Sequence, residues 1–405
     1  MTALTRIRLF LRHAVPTLIM AGIHRRKGTG PPLDAPRILV TRLDGIGDFI
    51  LTTPFLRELR RNYAHSHITL VVGRNSSNLA MACPHVNKVL FVDPDPAAPI
   101  FANPANFIPF VKYLQYLSDF ADCHLAGRID MAIQPRWDVD ISWATLLTVL
   151  SGAPRRVGYT EKTSLVKSWC NFGHNLLFTE VIQPGIGQHE SERNFDIIRY
   201  LGGAVESGAP EVWWQPEDQQ QAEAFLGREN LSDAINLIVF GIGATQRRRQ
   251  WPYYGELIRL LALELDFIPL LVAGPGEKEL VDVIKAKSPS AVVMAIPLGP
   301  VAYILSRCTL FVGNDSGPMH LAAALGLAVV EISCHPVGGD PQHANSPDRF
   351  GPLASRKSIM RPQALSEKCR SGCVEDIPHC ITGIRPEEVA SAVMGLLRSI
   401  EVRTS

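Results

Sequence analysis

From residue 36 onward, short apolar and often β-branched runs alternate with stretches whose apolar positions recur at helical spacing. "RILV" at 37–40 precedes a helical stretch ending near "LRELRRNY", "HITLVVG" precedes "NSSNLAMAC", "KVLFVD" precedes a Pro-rich loop and "FVKYLQYLSDFADCHLAG", and "DMAIQP" precedes "ISWATLLTVLSG". Strands that are apolar throughout and spaced by helices predict a parallel sheet covered on both faces. "HESERNFDIIRYLGG" closes this first unit as a helix. "AVESGAPEVWWQPEDQQQ" then loses the period and gains Pro, Gly and Gln.

The pattern restarts with "INLIVFGIG" and "YYGELIRLLALEL", followed by "FIPLLVAG" and "PGEKE", "AVVMAI" and "VAYILSRC", "TLFVGN" and "MHLAAALG", and finally "AVVEIS". The expected class is α/β, with two doubly wound, Rossmann-like parallel-sheet domains in tandem and a cleft between them lined by strand carboxyl ends. The expected boundaries are a basic N-terminal extension over 1–35, a first domain over 36–205, a linker over 206–230, a second domain over 231–385 and a C-terminal helix over 386–405. No repeat and no low-complexity segment is visible.

The chain has 405 residues, of which 46% are hydrophobic and 20% charged, which suits two cores and an ordinary globular composition. A formal net charge of +1 gives no reason to expect a nucleic-acid partner. The charge is uneven, since residues 1–42 carry eight Lys or Arg against Asp34 alone. Within that segment "IRLFLRHAVPTLIMAGIHRRKG" has a short apolar centre broken by Pro16 and ends in Arg25, Arg26 and Lys27. It reads either as an interfacial segment giving peripheral membrane contact through residues 1–30 or as a solvated extension.

Eight cysteines in a chain of this length do not make a disulfide scaffold, and a reducing compartment fits them. Cys83, Cys123, Cys170 and Cys308 sit in apolar contexts as packing residues. Cys369, Cys373 and Cys380 cluster as C-x3-C-x6-C near His379, with Cys334 a further partner. That spacing lacks the paired C-x2-C knuckles of common zinc modules, so packing or a local disulfide is preferred over a metal, and no cofactor is expected.

The candidate chemistry gathers where strands end. "RLDGIGDFILTTP" at 42–54 follows the first strand, matches neither G-x-G-x-x-G nor G-x-x-x-x-G-K-[ST], and carries Asp48 where an acid would repel phosphate. Asp48 is therefore a candidate proton acceptor, with a turn-stabilising Asx residue as the plainer alternative. In "FVGNDSGPMHLAAALG" a strand delivers Asp315, Ser316 and Gly317 to a helix start, with His320 on its first turn. Free N–H groups and the positive dipole end there suit a diphosphate, although Asp and Ser also serve as caps.

"FGIGATQRRRQWP" adds Thr245 and the run Arg247, Arg248 and Arg249, which offer charge-assisted contacts to phosphate. Glu277 in "VAGPGEKE" is placed to accept from sugar or ribose hydroxyls. Arg74, Arg136, His189 and Arg193 are candidates for an anionic acceptor.

Together, "GIGDFILTTPFLRELRRNY", "RVGY", "HESERNFDIIRYLG", "GATQRRRQWPYYGELIRLL" and above all "FVGNDSGPMHLAAALG" resemble the ADP-heptose:lipopolysaccharide heptosyltransferases of glycosyltransferase family 9, from about residue 37 to 395. The resemblance implies a GT-B fold and an inverting, metal-independent transfer of heptose or a related sugar. The donor would be a nucleotide diphosphate sugar, most simply ADP-heptose, and the acceptor a lipopolysaccharide or other anionic glycan or glycolipid. It implies a cytoplasmic protein, peripheral on the inner face of the inner membrane. It makes Asp48 the general base, assigns the donor to Thr245, Arg249, Glu277, Asp315, Ser316, Gly317 and His320, and departs from the family pattern in having Ser316 where relatives have Thr.

The basic extension and the long loop "SCHPVGGDPQHANSPDRFGP" are further departures, and they leave the acceptor open to a protein or another glycan. A catalytically degenerate nucleotide-sugar-binding protein is the non-enzymatic alternative. An NAD-dependent oxidoreductase is disfavoured because no G-x-G-x-x-G follows a strand.

Overall fold

The computed structural model describes residues 35–93, 107–125, 127, 129–183, 185, 189–234, 236–274, 276–363 and 376–404, together with Thr17. The basic cluster at 25–27 and Cys369 and Cys373 lie outside these residues. The chain divides after Gly208 into two compact units.

The first unit holds six parallel strands, β1 (Arg37–Arg42), β2 (His67–Gly73), β3 (Lys88–Val92), β4 (Met131–Gln134), β5 (Arg155–Tyr159) and β6 (Glu180–Ile182), in the order β3-β2-β1-β4-β5-β6. The second repeats that order with β7 (Leu237–Gly241), β8 (Ile268–Val272), β9 (Val292–Met294), β10 (Leu310–Asn314), β11 (Ala328–Ile332) and β12 (Lys357–Met360), paired as β12-β11-β10-β7-β8-β9. The strand order reverses between β1 and β4 in one unit and between β7 and β10 in the other. Loops leaving the carboxyl ends of those pairs diverge, which is where open α/β sheets hold ligands.

The central strands are buried on both faces because helices cover both. In β1, Ile38, Leu39 and Val40 are fully buried, and Val40 pairs with Leu70 on one side and Ile133 on the other. In the second unit the helix Pro386–Thr404 contributes Val389 and Val393 to the core beneath β10 and β11.

Three strands were not foreseen: β5, β6 and β12. β5 opens on two charged residues, Arg155 and Arg156, which interrupt its apolar pattern. Arg156 is nevertheless buried, with Nε donating to the Leu177 carbonyl (2.7 Å) and Nη1 to that of Ala153 (2.8 Å).

Residues 216–228, expected as linker, form a helix of the second unit. Pro216 starts it, and Gln215 and Asp218 form a reciprocal capping box. Ala222, Phe225 and Leu226 are buried, and Tyr303 of the helix Leu298–Ser306 hydrogen-bonds Glu223 (2.9 Å). The charged outer face of this helix hid its period.

Candidate active-site residues at two sheet edges

In the first unit β1 ends at Arg42, and the turn 43–45 leads into the short helix Ile46–Ile50 with Asp48 in its first turn. Arg42 is completely buried and works as a hub. Its Nη2 donates to Asp48 Oδ1 (3.3 Å), its Nε pairs with Asp44 Oδ1 (2.8 Å), and its Nη1 donates to the Pro135 carbonyl beyond β4 (3.0 Å). Arg136 closes the arrangement from the β4 side by pairing with Asp44 and approaching Asp48 Oδ1 at 3.9 Å, while its Nε donates to the Val139 carbonyl (2.6 Å).

Burial and the neighbouring Asp44 raise the Asp48 carboxyl to about 6, with Arg136 and Arg42 opposing and Glu190 adding to the rise. A base of that strength, with a quarter of its side chain open to solvent, is ionised at neutral pH yet basic enough to accept a hydroxyl proton.

The other residues expected on this side take separate places. Arg193 is buried, pairs with Glu190 Oε2 (3.3 Å) and stacks its guanidinium over Trp137 at 3.7 Å. Through Glu190 it falls within electrostatic reach of Asp48. His189 caps the helix Glu190–Tyr200, its Nδ1 accepting from the Ser191 N–H (3.3 Å). Arg74 is exposed, bound by both oxygens of Asp93 and seated over Phe91 at 4.6 Å. The structure thus brings Arg136 to Asp48 directly and Arg193 indirectly, and engages Arg74 elsewhere.

In the second unit the loops after β7, β10 and β11 meet. Asn314, the last residue of β10, is buried and ties them. Its Nδ2 donates to the Ile242 carbonyl (2.8 Å), and its Oδ1 accepts from the Trp251 N–H (3.0 Å). Trp251 is buried beneath, with Nε1 donating to the Ile384 carbonyl (2.9 Å), so the run 247–249 is anchored at its carboxyl end.

Arg249 Nη1 then pairs with Asp315 Oδ2 at 3.1 Å, and Nη2 donates to Asn345 of the long 333–350 loop. Asp315 is buried and its carboxyl raised by that burial, with Arg249 opposing. Glu277 folds onto the β7 loop. Its Oε2 accepts from the Gly274 N–H (2.6 Å), and a Cβ at Gly243 would lie 1.5 Å from its Oε1, so only glycine leaves room for it. Thr245 is exposed on the same loop. Gly317 opens the helix Gly317–Ala324, in which His320 is buried.

The glycines of "FVGN" and "FGIG" have a packing cause. A Cβ at Gly241 or Gly313 would fall 2.3 or 2.6 Å from the Phe311 ring.

Glu331 in β11 was not singled out in the sequence. It is 1% exposed, and burial together with Asp315 holds its carboxyl well above the usual range, against the Ser333 hydroxyl, Arg249 and Arg361. One acid inside the apolar run "AVVEIS" was the available signal.

Among the described residues Gln246 Oε1, Arg248 Nε, Arg249 Nε, Ser316 Oγ and Glu331 Oε2 are buried without a hydrogen-bond partner. Each such atom costs a fold about 1–3 kcal/mol. Four on the loops after β7 and β10 and one in the adjoining strand β11 favour a role in binding over one in stability.

Two parallel α/β units with this strand order, each with loops diverging at its reversal point, have the fold of GT-B glycosyltransferases. The profile of glycosyltransferase family 9 (heptosyltransferase) matches residues 140–376, and the chain belongs to that family. The match takes in every donor-side residue from Thr245 to His320, but it begins after Asp48, Arg74 and Arg136.

Among solved structures, the glycosyl transferase family 9 protein of Veillonella parvula is 22% identical, with a TM-score of 0.71 over 91% of this chain and 99% of its own. The E. coli ADP-heptose lps heptosyltransferase II is 20% identical, with a TM-score of 0.62 over 90% of this chain and 99% of its own. E. coli heptosyltransferase WaaC, solved with ADP, is 19% identical, with a TM-score of 0.63 and the same two coverages. Identities at this level speak for the fold.

Proposed function

We propose that the chain transfers a heptose from ADP-heptose to a hydroxyl of a lipopolysaccharide or related cell-surface glycan, with inversion and without a metal. The observation that carries this reading is the set of buried, unpaired polar atoms around Arg249, Asp315 and Ser316 at the amino end of the helix Gly317–Ala324. Arg249 and the Ser316 hydroxyl, with the helix N–H groups, neutralise the diphosphate as it departs. Glu277 accepts from a ribose hydroxyl.

The bond between the anomeric carbon and the diphosphate oxygen breaks with its electron pair going to that oxygen. The acceptor oxygen forms the new bond, and its proton passes to Asp48. Arg136 keeps the acceptor's anionic groups near that carboxylate. The similar solved structures, an ADP-heptose lps heptosyltransferase and a heptosyltransferase with ADP, support this choice of donor and acceptor class. Among the described residues no helix is long and apolar enough to cross a membrane.

The reading is tested by titrating the protein calorimetrically with ADP, ADP-heptose and UDP-sugars, then incubating it with the tightest donor and heptose-deficient lipopolysaccharide. ADP release coupled to glycan mass gain is expected. Preferred binding of a UDP-sugar would overturn the donor, and binding without turnover on any glycan would leave a degenerate binding protein.

A further inference from the structure

The connection between β11 and the short helix Pro347–Phe350 is the loop in which the sequence departs most from the family pattern. Long connections without regular structure are uncommon in compact domains, and those that persist in an ordered form usually serve a site. This one is braced from several sides. Arg361, directly after β12, donates from Nε to the His335 carbonyl (3.1 Å) and from Nη2 to the Pro336 carbonyl (2.6 Å). The His335 and His343 rings stack with centroids 5.3 Å apart and planes 13° from parallel, so the two limbs of the loop lie against each other.

That bracing converges on Asn345, which is 4% exposed. Its backbone N–H donates to His343 Nδ1 (3.1 Å), and its Nδ2 points back across the loop to Cys334 Sγ (3.6 Å). The next residue, Ser346, donates its N–H to the His343 carbonyl (2.9 Å), and its hydroxyl accepts from the Asp348 N–H (3.3 Å) to cap the helix. The side-chain oxygen of Asn345 is thereby held in a fixed place, and it accepts from Arg249 Nη2, 96 residues away in the chain.

Arg249 is clamped as a result. Nη1 pairs with Asp315 Oδ2 (3.1 Å) and Nη2 is taken by Asn345, which sets the plane of the guanidinium, while Nε keeps no hydrogen-bond partner. The chemistry of the second clamp is informative. An aspartate at 345 would accept the same hydrogen bond more strongly, because a carboxylate binds a guanidinium better than an amide does. It would also place a second negative charge beside Asp315 and leave the group net negative, which an arriving anion would meet with repulsion. An amide holds the fork and adds no charge.

We propose that Asn345 is a positioning residue of the donor site, which aligns the Arg249 guanidinium for a diphosphate without neutralising it, and that the loop 333–350 exists to carry it there. Ordering that loop in the fold, before the ligand arrives, removes a cost that binding would otherwise bear. The inference rests on the proposed assignment of Arg249 to the diphosphate.

The test is calorimetric titration of ADP into full-length wild type, Asn345→Ala, Asn345→Asp, Arg249→Ala and the double variant Arg249→Ala/Asn345→Ala, at a temperature where thermal melting shows all five folded. Asn345→Ala should weaken ADP about 3- to 10-fold. Asn345→Asp, which keeps the shape and the acceptor, should weaken it more, by about 10- to 100-fold, since the defect is one of charge. In the Arg249→Ala background the Ala substitution at 345 should cost nothing further, because Asn345 acts through Arg249.

A loss on top of Arg249→Ala as large as in the wild-type background would make Asn345 a structural residue of the loop and overturn the proposal. Wild-type affinity in Asn345→Asp beside a weakened Arg249→Ala would overturn it too, while sparing the diphosphate reading. Undiminished affinity in Arg249→Ala would sink that reading and this inference together.

Discussion

The two candidate clusters occupy equivalent places in their sheets yet treat charge in opposite ways. After β1, Asp48 stands among Arg42, Asp44 and Arg136, which compensate one another through ion pairs that include Arg42–Asp44 at 2.8 Å, Arg42–Asp48 at 3.3 Å and Arg136–Asp48 at 3.9 Å. After β7 and β10, one ion pair between Arg249 and Asp315 is surrounded by polar atoms without partners and by Glu331, whose protonated form burial favours. A compensated cluster sets the strength of one base and leaves it little freedom to move. An uncompensated one has binding capacity in reserve for an anion. On the proposed function, the same fold edge supports proton transfer in one unit and donor binding in the other.

The sharpest way to break this comparison is Asp48→Asn. Loss of a general base costs about 100- to 10,000-fold in turnover, and steady-state kinetics on the glycan acceptor should show it. The folded carboxyl sits above its ordinary 3.8, so its ionisation disfavours the native state as pH rises through about 6. The Asn variant should consequently be no less stable than wild type at pH 7 by thermal melting, and a marked loss would make Asp48 a structural residue.

Arg249→Ala comes next. Removing a charge-assisted contact to phosphate should weaken ADP binding about 10- to 100-fold, and undiminished affinity would remove Arg249 from the diphosphate site.

The parts legible from sequence follow the same division. β1, β4, β7, β10 and β11 were visible because both faces of each are buried, which produces unbroken apolar runs. β5 and β6 were not, because Arg155 pairs with Glu180 across them (2.9 Å) and two charges masked a buried ladder. On the donor side, Asp315 and Ser316 announced themselves through a strand, a turn and a helix in sequence. Asp44, Arg42 and Asn345 did not, since their roles depend on contacts between segments far apart in the chain, as when Arg249 reaches Asn345. The helix Leu165–Cys170, which turns Lys167 inward and Leu165 and Trp169 outward, was equally hidden, because periodicity reports that two faces differ but not which one is inside.

Acidity separates the clusters more gently. With Asp48 titrating at about 6, kcat/KM should fall about tenfold per pH unit below that value, while ADP affinity should stay nearly level over the same range. A rate profile flat down to pH 4.5 would assign the proton to another group. The smallest effect is expected from Gly243→Ala, which must push Glu277 off its seat because the new Cβ would lie 1.5 Å from Oε1. ADP affinity should drop by a few-fold, with the diphosphate contacts kept, and an unchanged value would place Glu277 outside the nucleoside site.

The division of labour between the units is tested most directly by titrating ADP calorimetrically into Asp48→Asn and Arg249→Ala side by side. The account predicts wild-type affinity in Asp48→Asn, whose turnover is lost, and affinity weakened by an order of magnitude or more in Arg249→Ala. Equal weakening in both variants would contradict it.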